Sequence, residues 1–429
     1  MRFKAFLMCV ACCSASVAFS AQAKNVALSA TASLPVEAQA LSTSDSDSAP
    51  EWHKLKQQEI DLIRRTLGAI PGEDQVGDTP PVDKQWFKAS GYDMRVAERQ
   101  QQGIELLSGF NKLPKSLLER NLHTVETIHR LSSPAVRRQA LMDAYIDHYF
   151  YYLAAPMGPK LGSAFLRAYQ SGEISKAVAL INASTISTSV AKKHFDYPRP
   201  FQQPGNTIKP VKDDIVYRDN RTYTVEGAAF PSGHTNSGYT SALIMAEMLP
   251  ERFEPLVTEG ARYGYSRVVL GVHYPLDVMG SRMVVEHHVA DMMNDPAWRK
   301  LFDEARQQVR EALEKECGMS LESCAQTVPQ NDPYARPEMR DFYRYTMTYG
   351  LPKVDSTPKA LTVPAGAEVL LEAPLPHLSA EQRRQLMAST SIDSGYALSE
   401  GGENANFWQR VNLVDAVAKA KEQGLPLKH

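Results

Sequence analysis

Between Met94 and Asn294 the apolar residues return at three- and four-residue intervals, with no strong run of period-two alternation. The stretches "SLLERNLHTVETIHRL" and "AVRRQALMDAYIDHYFYYL" carry the pattern openly. A chain written this way buries its apolar stripes against other helices, so the expectation is an all-α domain built as a helical bundle. A further charged helix, "AWRKLFDEARQQVREALEKEC", continues the pattern. After Val328 the texture changes. "VPQNDPYARPEM" reads as loop, and "ALTVPAGAEVLLEAPLP" as holding a short strand. "SAEQRRQL" opens on a capping box of Ser379 and Gln382, and "NFWQRVNLVDAVAKAKEQ" as a closing helix. Residues 329–429 are therefore expected to form a mixed loop and helix extension to a catalytic domain at 86–328. No internal repeat is visible.

The N-terminus places the chain. "MRFKAFLMCVACCSASVAFSAQAKN" has basic residues, an apolar run and a small-residue Ala-x-Ala end, the order of a secretory signal peptide over 1–23. Residues 24–85 read as a flexible leader and a Gly/Pro-rich linker. No later segment has ~18 uninterrupted apolar residues, so no membrane-spanning helix is expected after signal removal. A periplasmic or secreted location follows. Of five cysteines, only Cys317 and Cys324 lie outside the signal, and their spacing suits a short disulfide loop in an oxidising compartment. Two sulfurs without a nearby histidine make a poor metal site. The formal net charge of -2 removes bulk basicity as an argument for nucleic acid or an anionic membrane surface.

Three short stretches carry chemistry. "KKHFDYPRP" holds Lys192 and Arg199; "FPSGH" holds Ser232, Gly233 and His234; "SRVVLGVHYPLD" holds Arg267, His273 and Asp277. Each alone reads blandly, as solvated charge or a local cap. Together they suit a tetrahedral phosphoryl group, whose peripheral oxygens need cations and N–H donors. Lys192, Arg199 and Arg267 supply the cations. A helix starting just past Pro231 buries Tyr239, Ala242, Leu243 and Ala246 on one face and opens its N–H groups and positive dipole end to an anion. Ser232 adds a hydroxyl, and Gly233 admits an oxygen close to the backbone. His273 precedes Pro275, which favours a new helix start, so Asp277 falls in the first turn and reaches back to the imidazole. That bond fixes the tautomer and makes His273 the nucleophile, with His234 as general acid and then base.

The set Lys-x6-Arg-Pro, Pro-Ser-Gly-His and Ser-Arg-x5-His-x3-Asp resembles the type-2 phosphatidic acid phosphatase superfamily. That group holds bacterial class A non-specific acid phosphatases, membrane lipid phosphatases and vanadium haloperoxidases. The flanks "FPSGHTNSGYTSALIMAEMLPER" and "GYSRVVLGVHYPLD" look most like the soluble class A enzymes. The resemblance implies an all-helical domain of the acid phosphatase/haloperoxidase type. It also implies metal-independent hydrolysis of small phosphate esters through a phosphohistidine. No cofactor is expected. Vanadate is expected as a phosphate-mimicking inhibitor, and as a cofactor only under a haloperoxidase reading. A lipid or isoprenoid phosphate phosphatase and a non-catalytic phosphate-binding module are further alternatives. The chain is longer than a typical class A enzyme, which leaves substrate range open, and a homo-oligomer is compatible with it. Glu286, His287, His288 and Asp291 lack the spacing of a metal motif and read as structural. His123, His129 and His148 read as core or surface residues, and Glu226 is not assigned a role.

Overall fold

The computed structural model describes residues 80–145, 150–213 and 221–424. The signal peptide, most of the leader and linker, and His148 lie outside the described residues. The longer helices, numbered along the chain, are α1 (Val96–Leu106), α2 (Lys115–Leu131), α3 (Pro134–Tyr145), α4 (Pro159–Ser171), α5 (Ser175–Ser184) and α6 (Ser189–Phe195). They continue as α7 (Gly233–Met248), α8 (Phe253–Val269), α9 (Pro275–Asn294), α10 (Pro296–Cys317), α11 (Pro337–Thr346), α12 (Ala380–Thr390) and α13 (Leu413–Glu422). Among the described residues the only extended pairing is an antiparallel ladder of β1 (Lys212–Asp213) and β2 (Arg221–Thr222), with Lys212 opposite Thr222. The fold is all-α.

Helix α7 is the centre of the molecule. Ser232 caps it, its hydroxyl accepting from Thr235 N at 3.3 Å. The sequence assigns it one buried face, but it is buried on all sides from Thr235 to Met248, apart from Ser237. Its neighbours explain this: α8 and α9 pack along it, α5 and α10 close another flank, and Tyr343 of α11 reaches its Tyr239 hydroxyl at 3.1 Å. The α7–α8 approach is close because Gly238 has no side chain; a Cβ there would lie 2.3 Å from Tyr263 Cδ1. Helix α8 ends in a turn at Gly271, whose φ of 71° favours glycine. The turn delivers His273, then Tyr274 at the N-cap and Pro275 in the first turn of α9.

The segment after residue 328 shares this core. Phe342, Leu370, Leu371 and Leu413 are fully buried in the same apolar cluster as α7 and α8. Two expectations need correction. The strand expected in "ALTVPAGAEVLLEAPLP" is a 3-10 turn, Ala367–Leu371, packed on α9. Pro364 and Gly366, with φ of 94°, break the extended run, so Leu370 and Leu371 turn inward together rather than alternating. The closing helix is split: Ala405–Trp408 stops, and α13 restarts behind Asn412, whose side chain accepts from Asp415 N. The "AVRRQALMDAYIDHYFYYL" helix ends at Tyr145 as far as it is described, and resumes as a 3-10 turn at Tyr151–Leu153. The Ser379/Gln382 capping box is present at the start of α12. Cys317 and Cys324 are joined as a disulfide at the end of α10.

Candidate active site

The three stretches converge on the N-terminal mouth of α7 and the turn between α8 and α9. The two helix starts are tied together, since Ser232 N donates to Asp277 O at 3.1 Å and Ser281 Oγ to Ser232 O at 2.7 Å. His273 is 2% exposed. Its Nδ1 lies 2.9 Å from Asp277 Oδ2, which also accepts from Tyr274 N at 2.9 Å. Its Nε2 lies 2.9 Å from Arg199 Nη1. A guanidinium only donates, so Nε2 holds the lone pair and the imidazole proton sits on Nδ1, facing the carboxylate.

The cations are held by backbone carbonyls. Arg199 donates to Gly227, Val272 and Glu226 carbonyls at 3.0, 3.0 and 3.1 Å. Lys192 Nζ donates to Ala228 O at 2.6 Å. Arg267 is fully buried, and only its Nη2 is bonded, to Ala140 O of α3 at 2.6 Å. Its Nε and Nη1 have no partner among the described residues. A buried guanidinium with two idle nitrogens is costly unless an anion completes it. Glu226 enters through its carbonyl only. The carbonyl supports at 226–229 and at Ala140 are invisible in the sequence, because any residue type supplies a carbonyl.

Burial and clustered charge set the proton states. Burial, then Arg199 and Lys192, hold the His273 imidazole well below its usual value, so it is neutral at neutral pH. His234, mostly buried at the mouth, is held down at about 3 by burial and then Arg267, against a hydrogen bond to the Ala144 backbone. Burial pushes the Asp277 carboxyl up to about 7, while the Tyr274 N–H and the Lys192 and Arg199 charges pull it down. Its Oδ1 has no partner among the described residues. Burial and Arg199 lower Lys192 to about 8. Ser232 faces inward as a cap, with Thr235 Oγ1 donating to it at 2.9 Å. At Gly233 an added Cβ would meet nothing nearer than Thr188 Oγ1 at 3.3 Å.

The other histidines have local duties. His129 bridges the carbonyls of Val269 and Lys209 at 2.9 and 2.8 Å. His287 packs edge-on against Trp408, and His288 is buried beside it. Among the described residues, no group of three or more His, Cys, Asp or Glu could hold a metal ion.

A cradle of cations thus surrounds a buried His–Asp pair on an all-helical frame. Residues 174–290, which include Lys192, Arg199, Ser232, Gly233, His234, Arg267, His273 and Asp277, match the PAP2 superfamily. The chain is similar to bacterial non-specific acid phosphatases. It is 32% identical over 125 residues to that of Providencia stuartii, covering 29% of this chain and 48% of the relative. The same identity over 125 residues links it to the Salmonella typhimurium enzyme, covering 29% and 47%. It is also 40% identical over 57 residues to an undecaprenyl-diphosphatase of Bacillus subtilis, covering 13% and 30%. The chain spans about half the length of the acid phosphatases it matches. No helix among the described residues is long and apolar enough to cross a membrane.

Proposed function

We propose that the protein is an exported phosphomonoesterase, an acid phosphatase that works through a phosphohistidine. The observation that carries this reading is His273. Its Nδ1 proton is held by Asp277, and its Nε2 lone pair is turned toward Arg199 beside the half-bonded Arg267. An ester phosphate seated among Lys192, Arg199 and Arg267 draws Arg199 onto its oxygens and uncovers Nε2. The lone pair attacks phosphorus, an N–P bond forms, and the ester P–O bond breaks. The departing oxygen takes a proton from His234. Water then attacks phosphorus, His234 takes its proton, and the N–P electrons return to Nε2 as phosphate leaves. The Nδ1 proton stays on the ring throughout, and Asp277 stabilises the charge that forms. In this reading the three cations carry the charge stabilisation that a metal ion supplies elsewhere.

His234 is neutral in the free protein, because burial and Arg267 depress it. A phosphate dianion opposes that cationic field and raises the His234 pKa, which favours the charged acid when substrate arrives. The joined Cys317 and Cys324 suit an exported chain. The test is hydrolysis of an aryl phosphate in excess chelator, with acid-labile phosphate trapped on the protein. His273→Ala is expected to lose both turnover and trapped phosphate; normal turnover by that variant overturns the mechanism. The Bacillus subtilis relative supports a second reading, a phosphatase for lipid-linked pyrophosphates. Faster turnover of a vesicle-embedded isoprenoid pyrophosphate than of soluble monoesters would select it.

A further inference from the structure

Asp143, a carboxylate, lies in the last described turn of α3. It is nevertheless fully buried. Arg262 of α8 holds it with two parallel bonds, Nη1 to Oδ2 at 2.7 Å and Nη2 to Oδ1 at 3.0 Å. Ser266 Oγ donates to the same Oδ2. The other edge of the guanidinium meets Glu259, with Nε to Oε2 at 2.8 Å and Nη2 to Oε1 at 2.5 Å. Glu259 Oε2 in turn accepts from the Tyr334 hydroxyl at 2.5 Å. Tyr334 belongs to the segment after residue 328, and neither it nor Asp143 lies within the 174–290 match.

The turn that Asp143 anchors touches the candidate active site twice. Ala140 O accepts from Arg267 Nη2 at 2.6 Å, and the Ala144 backbone is hydrogen-bonded to His234. The hydrogen bond from the ring to the Ala144 backbone favours the protonated imidazole, and Asp143 stands one residue before Ala144.

We propose that Asp143 is a positioning residue for His234 and Arg267. The chain Tyr334–Glu259–Arg262 carries that support to the C-terminal extension, which thereby helps set the proton donor. The inference rests on the phosphatase reading for the role of His234 as acid. A guanidinium bonded on both edges couples its two carboxylates, so loosening Glu259 loosens Asp143.

Tyr334→Phe in the full chain removes one hydroxyl and keeps the ring. A nitrophenolate leaves without much help, whereas an alkoxide needs a proton. The expected result is a fall of about tenfold in kcat on glycerol phosphate, against a several-fold smaller fall on p-nitrophenyl phosphate. Equal falls on both substrates, or none on either, overturn the proposal. Asp143→Asn should widen the same contrast and also raise the inhibition constant of inorganic phosphate through Arg267. Tyr334→Phe keeps the test open if that variant does not fold. A second readout needs no turnover. With inorganic phosphate bound, the NMR titration midpoint of the His234 ring should lie lower in Tyr334→Phe than in the unsubstituted protein, and identical midpoints overturn the proposal. A shifted midpoint in a protein that hydrolyses neither ester leaves the positioning intact and rejects the phosphatase reading instead.

Discussion

His273 and Asp277 divide one proton between a ring and a carboxylate, and the ring must keep it on Nδ1. In Asp277→Asn the amide can present its own N–H to Nδ1 and drive the proton to Nε2, where it blocks attack. The expected loss is about 10²–10⁴-fold in kcat on an aryl phosphate, with little change in KM. The pH dependence of anion binding follows from two depressed groups. Lys192, lowered to about 8, loses its charge as pH rises through that value, and the cradle weakens. His234 has a free-state value of about 3, and a bound dianion raises it. Binding therefore takes up protons and strengthens as pH falls toward the bound-state value. Above about pH 7.5, where inorganic phosphate is already the dianion, both effects have the same sign, so its inhibition constant is expected to rise steadily to about pH 9. A flat constant over that range would count against this assignment of charges. The residue types of the site are legible in the sequence because few other uses bring these cations, a Pro-Ser-Gly-His and a His-x3-Asp together in order. The carbonyls that aim Lys192, Arg199 and Arg267 carry no such signature.

At the scale of elements, the α7 start is legible from Ser232 and Pro231, and the α9 start from Pro275. The full burial of α7 is not. Thr240, Ser241 and Glu247 suggest a solvent face, yet all three are buried by partners from distant parts of the chain. Gly238 sets the spacing of α7 against α8. Gly238→Val would drive a Cβ to 2.3 Å from Tyr263 Cδ1, and that ring is backed by Tyr152 with centroids 4.6 Å apart. The ring has little space to retreat into. We expect a destabilisation of about 1–3 kcal/mol, read as a lower thermal midpoint. Because α7 carries His234 and is capped by Ser232, phosphate affinity should fall with it. The Asp143–Arg262 bond shows why other element contacts are hidden from the sequence. Its partners are 119 residues apart, and "LMDAY" reads as one more polar position on a helix.

For the whole molecule, the change of texture at Val328 is a change in local pattern and not a break in packing. Phe342, Leu370, Leu371 and Leu413 are fully buried in the common core. Each contributes about 1.5–3 kcal/mol by burial. Four such losses consume most of the roughly 5–15 kcal/mol by which a domain is stable. A chain ending at Val328 is therefore expected to lose its sharp thermal transition, followed by circular dichroism. A truncated chain that melts cooperatively near the full-length midpoint would contradict this. The helical class is legible because periodicity is local; the role of the tail is not, because it depends on which distant surfaces it covers.

The contact between Arg199 and His273 has a consequence for the protein at rest. An imidazole lone pair covered by a guanidinium is screened from acylating electrophiles as well as from water. Diethylpyrocarbonate should modify His123, whose side chain is 64% exposed, well before His273. Phosphate would draw the guard away while filling the space in front of it. Under the proposed mechanism, His273 is thus masked until the phosphoryl group has already taken its seat.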